Sequence, residues 1–490
     1  MKILIISHTY LPALNGQAVF TTNLAEGLVH QGHHVRVLVP AIDRPKFTLQ
    51  NGVEIQTISA IDLRFIHKDL SLAFAFQFQV DKLILDFQPD LIHLQDPSPV
   101  SQTFLNVAKR HHIPVLATHH PGPAIWAPYL PGNSSFVKKM VVPVIWSFFM
   151  HYLNKADRVA APSRAAGNML EEHGVHTPVK PISCGVHLEE FHKLRQNQLV
   201  LREKFGLPLD KKLYVYVGRL DEEKKVDVLI KALPLIKDSS IFLVIAGTGL
   251  KSQYLQDLVT SLKVDKKVTF LGNIQRENVP DLYSACDVFV MPGDVESLSI
   301  STLEALACGK PVIAADAMAL PEMVHNRQNG FLFRSGDPNN LALKMDWMSA
   351  SSGRWGEMSS ASLRIVKSHR FSNTITAYEQ LYNQMIAEKA VPEPTRFFPP
   401  LARWLENYHF LFTIVQWAAL VVILIISLIS QNRPVLAAPG EPVININPEV
   451  IADIKHFLNV LKQIDLPNHQ ANGLQIIFQD FKIILNSLKI

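Results

Sequence analysis

Five residues of this chain have the type and spacing that ligand chemistry requires. Each of them follows a short apolar run of the kind that forms a buried strand. Ligands of a twisted parallel sheet bind outside the carboxyl ends of its strands, so side chains that directly follow the strands share one edge. The five residues are Gly16, Arg219, Lys224, Glu296 and Glu304.

Gly16 belongs to the segment SHTYLPALNGQAVF, which follows the first predicted strand. In a loop before a helix, a small residue lets backbone N–H groups and the helix N-terminus approach an anion. A loop glycine is also simply a turn residue. Gly16 alone does not separate these two interpretations.

Arg219 and Lys224 lie in GRLDEEKK, after the strand predicted at Leu213–Val217. Two cations at that position could hold a diphosphate and stabilise it as it leaves. The alternative is a solvated charged turn, given the acidic residues at 221–223. In isolation the charged turn is the simpler interpretation.

Glu296 and Glu304 follow the strand predicted at Val288–Met291. We predict Glu296 in the loop and Glu304 in the first turn of the next helix, so that the two carboxylates reach different depths of a crevice. A carboxylate can accept two hydroxyl hydrogen bonds, which suits a sugar ring at one glutamate and a ribose at the other. Alternatively, Ser301 and Glu304 form a capping box, in which the glutamate needs no ligand.

The composition limits the class of protein. With 490 residues and 48% hydrophobic residues, the chain is too long for one ordinary domain and too apolar to be disordered. The formal charge of +4 is small and its cations are scattered, which fits anionic phosphates or lipids but gives no argument for nucleic acid. Three cysteines without a CxxC motif indicate neither a zinc site nor a disulfide framework, and a reducing compartment fits best.

Two successive patterns of strands and helices must position the candidate residues. Strands separated by helices indicate parallel crossovers, so we predict an α/β fold with two Rossmann-like, doubly wound parallel-sheet domains over residues 1–195 and 196–373. The strands of the first pattern are predicted at Lys2–Ser7, Val35–Val39, Pro89–Leu94 and Pro114–Thr118, with a helix at Gln17–Gln31. Those of the second are predicted at Leu213–Val217, Ile241–Ala246, Val268–Leu271, Val288–Met291 and Val312–Ala315.

The rest of the chain is organised differently. A closing helix is predicted at 374–391 and a Pro-rich connector at 392–409. The uncharged run FLFTIVQWAALVVILIISLI then matches the ~20 residues that cross a bilayer, and predicts a transmembrane helix at 410–430. A buried core helix is the weaker alternative, because such a helix normally has a polar edge. Two amphipathic helices, Pro448–Ile464 and Leu474–Leu488, are predicted in the tail at 431–490.

Charge and the N-terminus predict the topology of that span. MKILIIS is too short an apolar run for a signal peptide and reads as a first strand. Lys389, Arg396 and Arg403 precede the span, whereas only Arg433 follows it closely. The positive-inside rule therefore places both α/β domains in the cytoplasm. A second apolar stretch at 140–153 either touches the membrane surface or forms a core helix of the first domain.

In this order the motifs resemble those of the family-4 retaining glycosyltransferases of the GT-B fold. The resemblance covers roughly residues 1–388. It rests on the loop glycine, PDLIHLQ, ADRVAAPS, ISCGVHLEEF, VGRLDEEKK, IAGTG and the glutamate pair with LEALACGKPVI. Within the family, PVLATHHPGPAIWAPYLP and ESLSISTLEA are most similar to bacterial enzymes that glycosylate membrane lipids such as diacylglycerol.

The resemblance implies a role for each candidate residue. Gly16 would meet the donor diphosphate, and Arg219 with Lys224 would neutralise it. Glu296 would bind the hydroxyls of the donor sugar near its reacting face. Glu304 would bind the ribose. A sixth residue enters only through the resemblance: His120, beside His119, would line the acceptor side near the reacting carbon, so that His120 and Glu296 are the expected catalytic residues.

Three positions depart from the family pattern. His187 stands where the family usually has an aspartate after Gly-Val. Asn15 replaces the first glycine of the usual pair, which narrows the freedom of the phosphate loop. Ser299 replaces a frequent glycine in the loop of the glutamate pair, and this leaves the identity of the donor sugar open.

The implied reaction is transfer of a hexose, with UDP-glucose as the expected donor, to a membrane lipid acceptor such as diacylglycerol, with retention of configuration. No cofactor is expected, since the nucleotide sugar is a co-substrate. The chain contains no Asp-x-Asp triplet, which favours a metal-independent enzyme. Expected partners are the nucleotide sugar, the lipid and the bilayer, without nucleic acid. Two alternatives stay open: a sugar-nucleotide epimerase and a non-catalytic, membrane-anchored sensor of sugar nucleotides.

Overall fold

The computed structural model of the chain describes residues 1–11, 13, 15–41, 46–62, 71–73, 75–120, 146–194 and 196–389. These residues form two compact units. The first draws its described residues from 1–118, 146–157 and 384–389, and the second from 119–120 and 158–383. The domain boundaries given above from the sequence stay predictions.

The first unit alternates strands and helices. The elements are β1 (Lys2–Ile6), α1 (Gly16–His30), β2 (His34–Ala41), β3 (Phe47–Gln50), β4 (Val53–Asp62), β5 (Ser71–Ala73), α2 (Gln77–Phe87), β6 (Leu91–Leu94), α3 (Pro99–Arg110), β7 (Val115–Thr118) and α4, a helix over 146–153. The strands follow the order β3-β4-β2-β1-β6-β7, and β5 pairs with β4. β1 is parallel to both of its neighbours, β2 and β6, whereas β3 and β5 run antiparallel to β4.

The second unit contains a parallel pair, β8 (Arg158–Ala161) and β9 (Val179–Pro181), and a six-stranded sheet. Around them lie α5 (Arg164–Glu172), α6 (Gln198–Lys204), α7 (Val226–Ala232), α8 (Ser252–Ser261), α9 (Val279–Ala285), α10 (Ile300–Ala307), α11 (Leu320–Met323), α12 (Pro338–Ala350), α13 (Trp355–Val366) and α14 (Phe371–Lys389). The sheet is built from β10 (Lys212–Val217), β11 (Ile241–Ala246), β12 (Val268–Gly272), β13 (Val288–Met291), β14 (Val312–Ala315) and β15 (Gly330–Phe333).

The six-stranded sheet is parallel throughout, in the order β12-β11-β10-β13-β14-β15. This is the 3-2-1-4-5-6 order of a doubly wound nucleotide-binding sheet, which places the topological switch point between β10 and β13. The core of the sheet is fully buried, with Val215, Val244, Phe289 and Ile313 inaccessible to solvent. Ligands of such a sheet are expected where β10 and β13 end.

Side-chain caps explain where several helices begin. Asn15 accepts a hydrogen bond from the Ala18 amide at the start of α1, and Ser98 accepts one from the Ser101 amide at the start of α3. α3 also has a proline at its first position, where no amide hydrogen is needed. These caps satisfy amide groups that have no partner within the helix itself.

The structure corrects the sequence analysis at Gly16. Gly16 is the first residue of α1 and does not lie in the preceding loop, because Asn15 is the N-cap of the helix. A Cβ built on Gly16 meets no atom within 4 Å. Packing within the described part of the chain therefore does not require a glycine there.

The membrane segment predicted at 410–430 lies outside the described residues, as do the connector and the tail. Within the described part, no helix combines the length and apolarity needed to cross a membrane. Of the second apolar stretch, only residues 146–153 are described. They are helical, and Trp146, Tyr152 and Leu153 are buried, as expected for a core helix.

Candidate functional site

The turns that follow β10 and β11 touch through their backbones. A Cβ at Gly247 would overlap the carbonyl oxygen of Gly218, and a Cβ at Gly249 would overlap the backbone of Leu220. The Leu220 amide donates to the Thr248 carbonyl at 3.0 Å. The glycines of IAGTG are therefore required for this close approach, which fixes the path of the GRLDEEKK segment.

Arg219 lies in that segment and its guanidinium is held by two acidic side chains. One nitrogen pairs with Asp221, and another donates to Glu223 at 2.6 Å. Both carboxylates are buried although Arg219 itself is half-exposed. Asp221 also accepts the Leu250 amide at 2.9 Å, which ties it to the turn after β11. Asp221 and Glu223 are thus buried partners of Arg219. In a solvated turn, the simpler interpretation of the sequence, these carboxylates would be exposed.

Lys224 and Glu296 are brought together. Lys224 ends a short 3-10 turn, Glu222–Lys224, and its Nζ lies 2.6 Å from Oε1 of Glu296. Glu296 is in the loop after β13, as predicted, and is buried. The pair therefore joins the turn after β10 to the loop after β13, at the switch point of the sheet.

α10 begins earlier than the sequence indicated. Ser299 is its N-cap, and the Ser299 hydroxyl oxygen accepts the amide of Thr302. The capping box predicted from Ser301 and Glu304 is wrong, and Glu304 lies in the second turn of the helix, not the first. The hydroxyl of Ser299, and not that of Ser301, caps the helix. Glu304 therefore lies beyond the third helical position, where the glutamate of a capping box must stand.

Glu304 is buried and faces a guanidinium. Its Oε1 lies 3.3 Å from Nη1 of Arg276, which follows β12. Burial raises the pKa of Glu304 to about 7, although Arg276 acts in the opposite direction. Tyr283, which packs nearby, donates its hydroxyl hydrogen to the carbonyl of Ser301. Glu304 is thus a carboxylate poised between its two ionisation states near neutral pH.

His119 and His120 directly follow β7. The His119 amide donates to the Ala160 carbonyl at 2.9 Å. Burial lowers the pKa of His119 to about 4, and burial with the charge of His119 lowers that of His120 to about 3. Both rings are neutral at pH 7, so His120 can exchange hydrogen bonds with a hydroxyl but carries no positive charge.

The N-terminus of α1 is part of a polar cluster in the first unit. Asp96, after β6, accepts the His8 amide at 2.5 Å and the Gln17 side-chain amide at 2.9 Å. Thr9 donates to the side chain of Asn15 at 3.2 Å. Asn15 thus fixes the loop before Gly16 as well as capping the helix, which explains how an asparagine replaces the first glycine of the family pair.

Two family models match the chain. Residues 14–190 match the model described as Glycosyltransferase Family 4, and residues 197–361 match that described as Glycosyl transferases group 1. Together these matches take up more than two thirds of the chain. The chain belongs to these glycosyltransferases.

Relatives of this glycosyltransferase include enzymes named for different activities. An uncharacterised glycosyltransferase of Methanocaldococcus jannaschii is 29% identical over 357 residues, 71% of this chain and 88% of the relative. A GDP-mannose-dependent alpha-mannosyltransferase of Mycobacterium tuberculosis is 29% identical, over 69% of this chain and 85% of the relative. An alpha-monoglucosyldiacylglycerol synthase of Streptococcus pneumoniae is 25% identical, over 68% of this chain and 75% of the relative.

Solved structures with low sequence identity share the fold. Sucrose-phosphate synthase from Thermosynechococcus elongatus matches with a TM-score of 0.67 and 21% identity, over 79% of this chain and 99% of that one. HepE from Anabaena, solved in complex with UDP, matches with a TM-score of 0.63 and 18% identity, over 78% of this chain and 100% of that one. The glycosyltransferase thus has the two-domain α/β GT-B fold that the sequence predicted, with parallel sheets apart from the antiparallel strands β3 and β5.

Sequence reasoning missed several residues of the glycosyltransferase's charge clusters. Arg276 and Glu190 were not singled out, although their guanidinium and carboxylate lie 3.3 Å apart. Asp221 and Glu223 were noted only as charges that weaken the case for Arg219. Their negative charge and their closeness to Arg219 in the sequence could have indicated that they pair with it. The binding roles of Gly16, His120, Arg219, Lys224, Glu296 and Glu304 stay predictions.

Proposed function

We propose that this glycosyltransferase transfers a hexose from a nucleotide sugar to a membrane lipid, with retention of configuration and without a metal ion. The observation that carries the proposal is the pairing of Lys224 with Glu296 at the switch point of the six-stranded sheet. This pairing places a cation that can bind a phosphate beside a carboxylate that can accept sugar hydroxyls. Glu304 lies on α10, the helix that follows the Glu296 loop.

UDP-glucose is the donor that we propose, and GDP-mannose is its main competitor. UDP is supported by the HepE complex, and GDP-mannose by the mannosyltransferase relative. In our proposal Glu304 accepts the ribose hydroxyls, and Glu296 accepts hydroxyls of the hexose. Arg219 and Lys224 contact the diphosphate, and Gly16 leaves space for its approach.

Retention follows from front-face displacement. The acceptor oxygen forms its bond to the anomeric carbon on the face from which the nucleoside diphosphate leaves, while the bond from that carbon to the phosphate oxygen breaks. The departing phosphate oxygen takes the acceptor's proton. Lys224 and Arg219 stabilise the negative charge that develops on the diphosphate. His120, neutral at pH 7, orients the acceptor by hydrogen bonding.

A lipid acceptor is supported by the alpha-monoglucosyldiacylglycerol synthase relative. It also fits the membrane span predicted at 410–430, with the catalytic domains on the cytoplasmic side, where nucleotide sugars are made. A tethered enzyme meets its lipid acceptor at a high effective concentration.

The test is an assay of the purified full chain with radiolabelled UDP-glucose, UDP-galactose and GDP-mannose, each with diacylglycerol vesicles and with a total membrane lipid extract. We expect a labelled glycolipid and free UDP from UDP-glucose. Label on lipid only from GDP-mannose would overturn the donor. An isomerised sugar nucleotide without glycolipid would indicate an epimerase, and binding without turnover would indicate a sensor.

Two variants complete this assay. Lys224→Ala should lose transfer. Lys266→Ala removes an exposed lysine in the turn before β12, at the opposite end of that strand from the proposed site, and should keep it.

A further inference from the structure

Arg276 bridges two carboxylates from different parts of the second unit. Its Nη1 lies 3.3 Å from Oε1 of Glu304, and its Nη2 lies 3.3 Å from Oε2 of Glu190. The guanidinium carbon is also 5.1 Å from the centre of the Phe191 ring. Arg276 is the first residue of the turn that follows β12, so the charge is delivered from the ligand-binding edge of the sheet.

The two carboxylates differ in their need for this cation. The Glu190 side chain is 53% exposed, whereas that of Glu304 is only 9% exposed. Water can stabilise the charge of an exposed carboxylate, but a buried one depends on nearby protein groups. Arg276 therefore matters mainly to Glu304, and Glu190 with Phe191 holds the guanidinium in place.

We propose that Arg276 is a positioning residue that favours the ionised form of Glu304, so that both carboxylate oxygens can accept hydroxyls of the nucleotide's ribose. This inference rests on the ribose role of Glu304 in the proposed function. A protonated carboxyl would offer one O–H donor in place of an acceptor, and would compete poorly for two neighbouring ribose hydroxyls.

Few other groups near Glu304 can change its ionisation. Among the residues that the structure describes, the charged and titratable groups that face it are Arg276, Glu190, Tyr283 and Cys308. Burial raises the pKa of Cys308 to about 12 and that of Tyr283 well above its usual value, so both are neutral near pH 7. Hydrogen bonding by Tyr283 also lowers the pKa of Glu304, but less than Arg276 does. Glu190 is negative and opposes ionisation of Glu304. Among these, Arg276 is the cation that favours the ionised carboxylate.

Nucleotide affinity should fall as the pH is lowered. If nucleotide binding needs ionised Glu304, affinity is full above the pKa of about 7 and is lost as the pH falls through it. Removing Arg276 raises that pKa further, because a cation within ~4–6 Å typically lowers a carboxyl pKa by about 1–3. The variant should thus lose affinity at a higher pH than the unaltered protein.

The test is calorimetric titration of the full chain with UDP and with GDP, between about pH 6 and about pH 9.5, for Arg276→Gln. We expect the ratio of the variant's Kd to that of the unaltered protein to be at least about tenfold larger at the acid end than at the alkaline end. Titration of the nucleotide's own phosphate is common to both proteins and cancels in this ratio.

Three further variants make the result specific. Arg276→Lys keeps the charge and should restore most of the profile. Arg354→Gln removes another half-exposed arginine of the same unit, paired with Glu357, and should leave the profile unchanged. Glu304→Gln should bind weakly at every pH and lose the step near neutrality.

The outcomes separate the two proposals. A Kd ratio for Arg276→Gln that is the same at all pH values, while Glu304→Gln still weakens binding, overturns the role of Arg276 alone. Normal binding by Glu304→Gln overturns the ribose role and therefore the proposed function of that residue. Binding of neither nucleotide by the unaltered protein overturns the nucleotide-sugar donor itself.

Discussion

Lys224 and Arg219 are the cations that we assign to the donor diphosphate. Lys224→Ala and Arg219→Ala should each lower kcat by about 10²–10³, the usual cost of removing one donor that stabilises developing negative charge. Steady-state kinetics with the preferred donor checks this, with Lys266→Ala as the matched control. The effect should be largest in kcat, since charge develops on the diphosphate as it leaves.

The same assay tests the metal. A chelator should leave the rate almost unchanged, because the two cations do the work that a divalent ion would otherwise do. Activity that disappears with chelator and returns with Mg²⁺ or Mn²⁺ contradicts metal independence.

Glu296 and Glu304 should separate kinetically. Glu296→Gln should mainly lower kcat, because this carboxylate is assigned to the reacting sugar, and Glu304→Gln should mainly raise the KM of the donor. Since Glu304 does not cap α10, its replacement by glutamine should leave the melting temperature nearly unchanged. A Glu304→Ala protein that binds nucleotide normally but melts lower would show that Glu304 is structural.

At the scale of elements, the start of α10 gives a stability prediction. Ser299→Ala should lower the free energy of unfolding by about 1 kcal/mol, the typical cost of losing a side-chain N-cap, and Ser299→Gly by only a few tenths. Denaturant unfolding measures both. Ser301→Ala is the control and should cost less, because Ser301 is not the cap. Equal losses for the two alanine variants would mean that the cap lies elsewhere.

Strands of the second sheet were predictable where a continuous apolar run is buried on both faces. β11, β13 and β14 have the bounds that the sequence predicted. β4 and β15 were missed for different reasons. β4 mixes buried and half-exposed residues and has no continuous apolar run, and β15 begins with a glycine, which weakens the strand pattern.

The site residues could likewise be predicted where they are close in sequence, but not where only the fold brings them together. Arg219 and Lys224 share one short segment, and Glu296 and Glu304 share another, so local spacing was enough to select them. Arg276 comes from a separate turn and meets Glu304 only through the fold. Two serines compete for the N-cap of α10, and the sequence gives no means of choosing between their hydroxyls.

At the scale of the whole molecule, the predicted span at 410–430 governs where the enzyme works. Deleting residues 405–490 should release the protein from membranes and preserve turnover on a detergent-dispersed acceptor, because the site residues precede the deletion. Fractionation and the transfer assay measure the two effects. A deleted protein that still sediments with membranes would point to another attachment.

The same span has a predicted orientation. Protease added to intact cells or spheroplasts should remove only the tail at 431–490, since the cationic flank favours a cytoplasmic position for the domains before the span. Digestion of the domains that carry Arg219 and Glu296 would reverse the topology and exclude a cytosolic donor.

The backbone contact between the turns after β10 and β11 has a consequence for how this enzyme can diverge. Side chains at Gly247 and Gly249 would overlap the opposite turn, so neither position can acquire a new group to read a different donor. New donor preferences should therefore arise at other positions around the site, while the glycine contact stays constant.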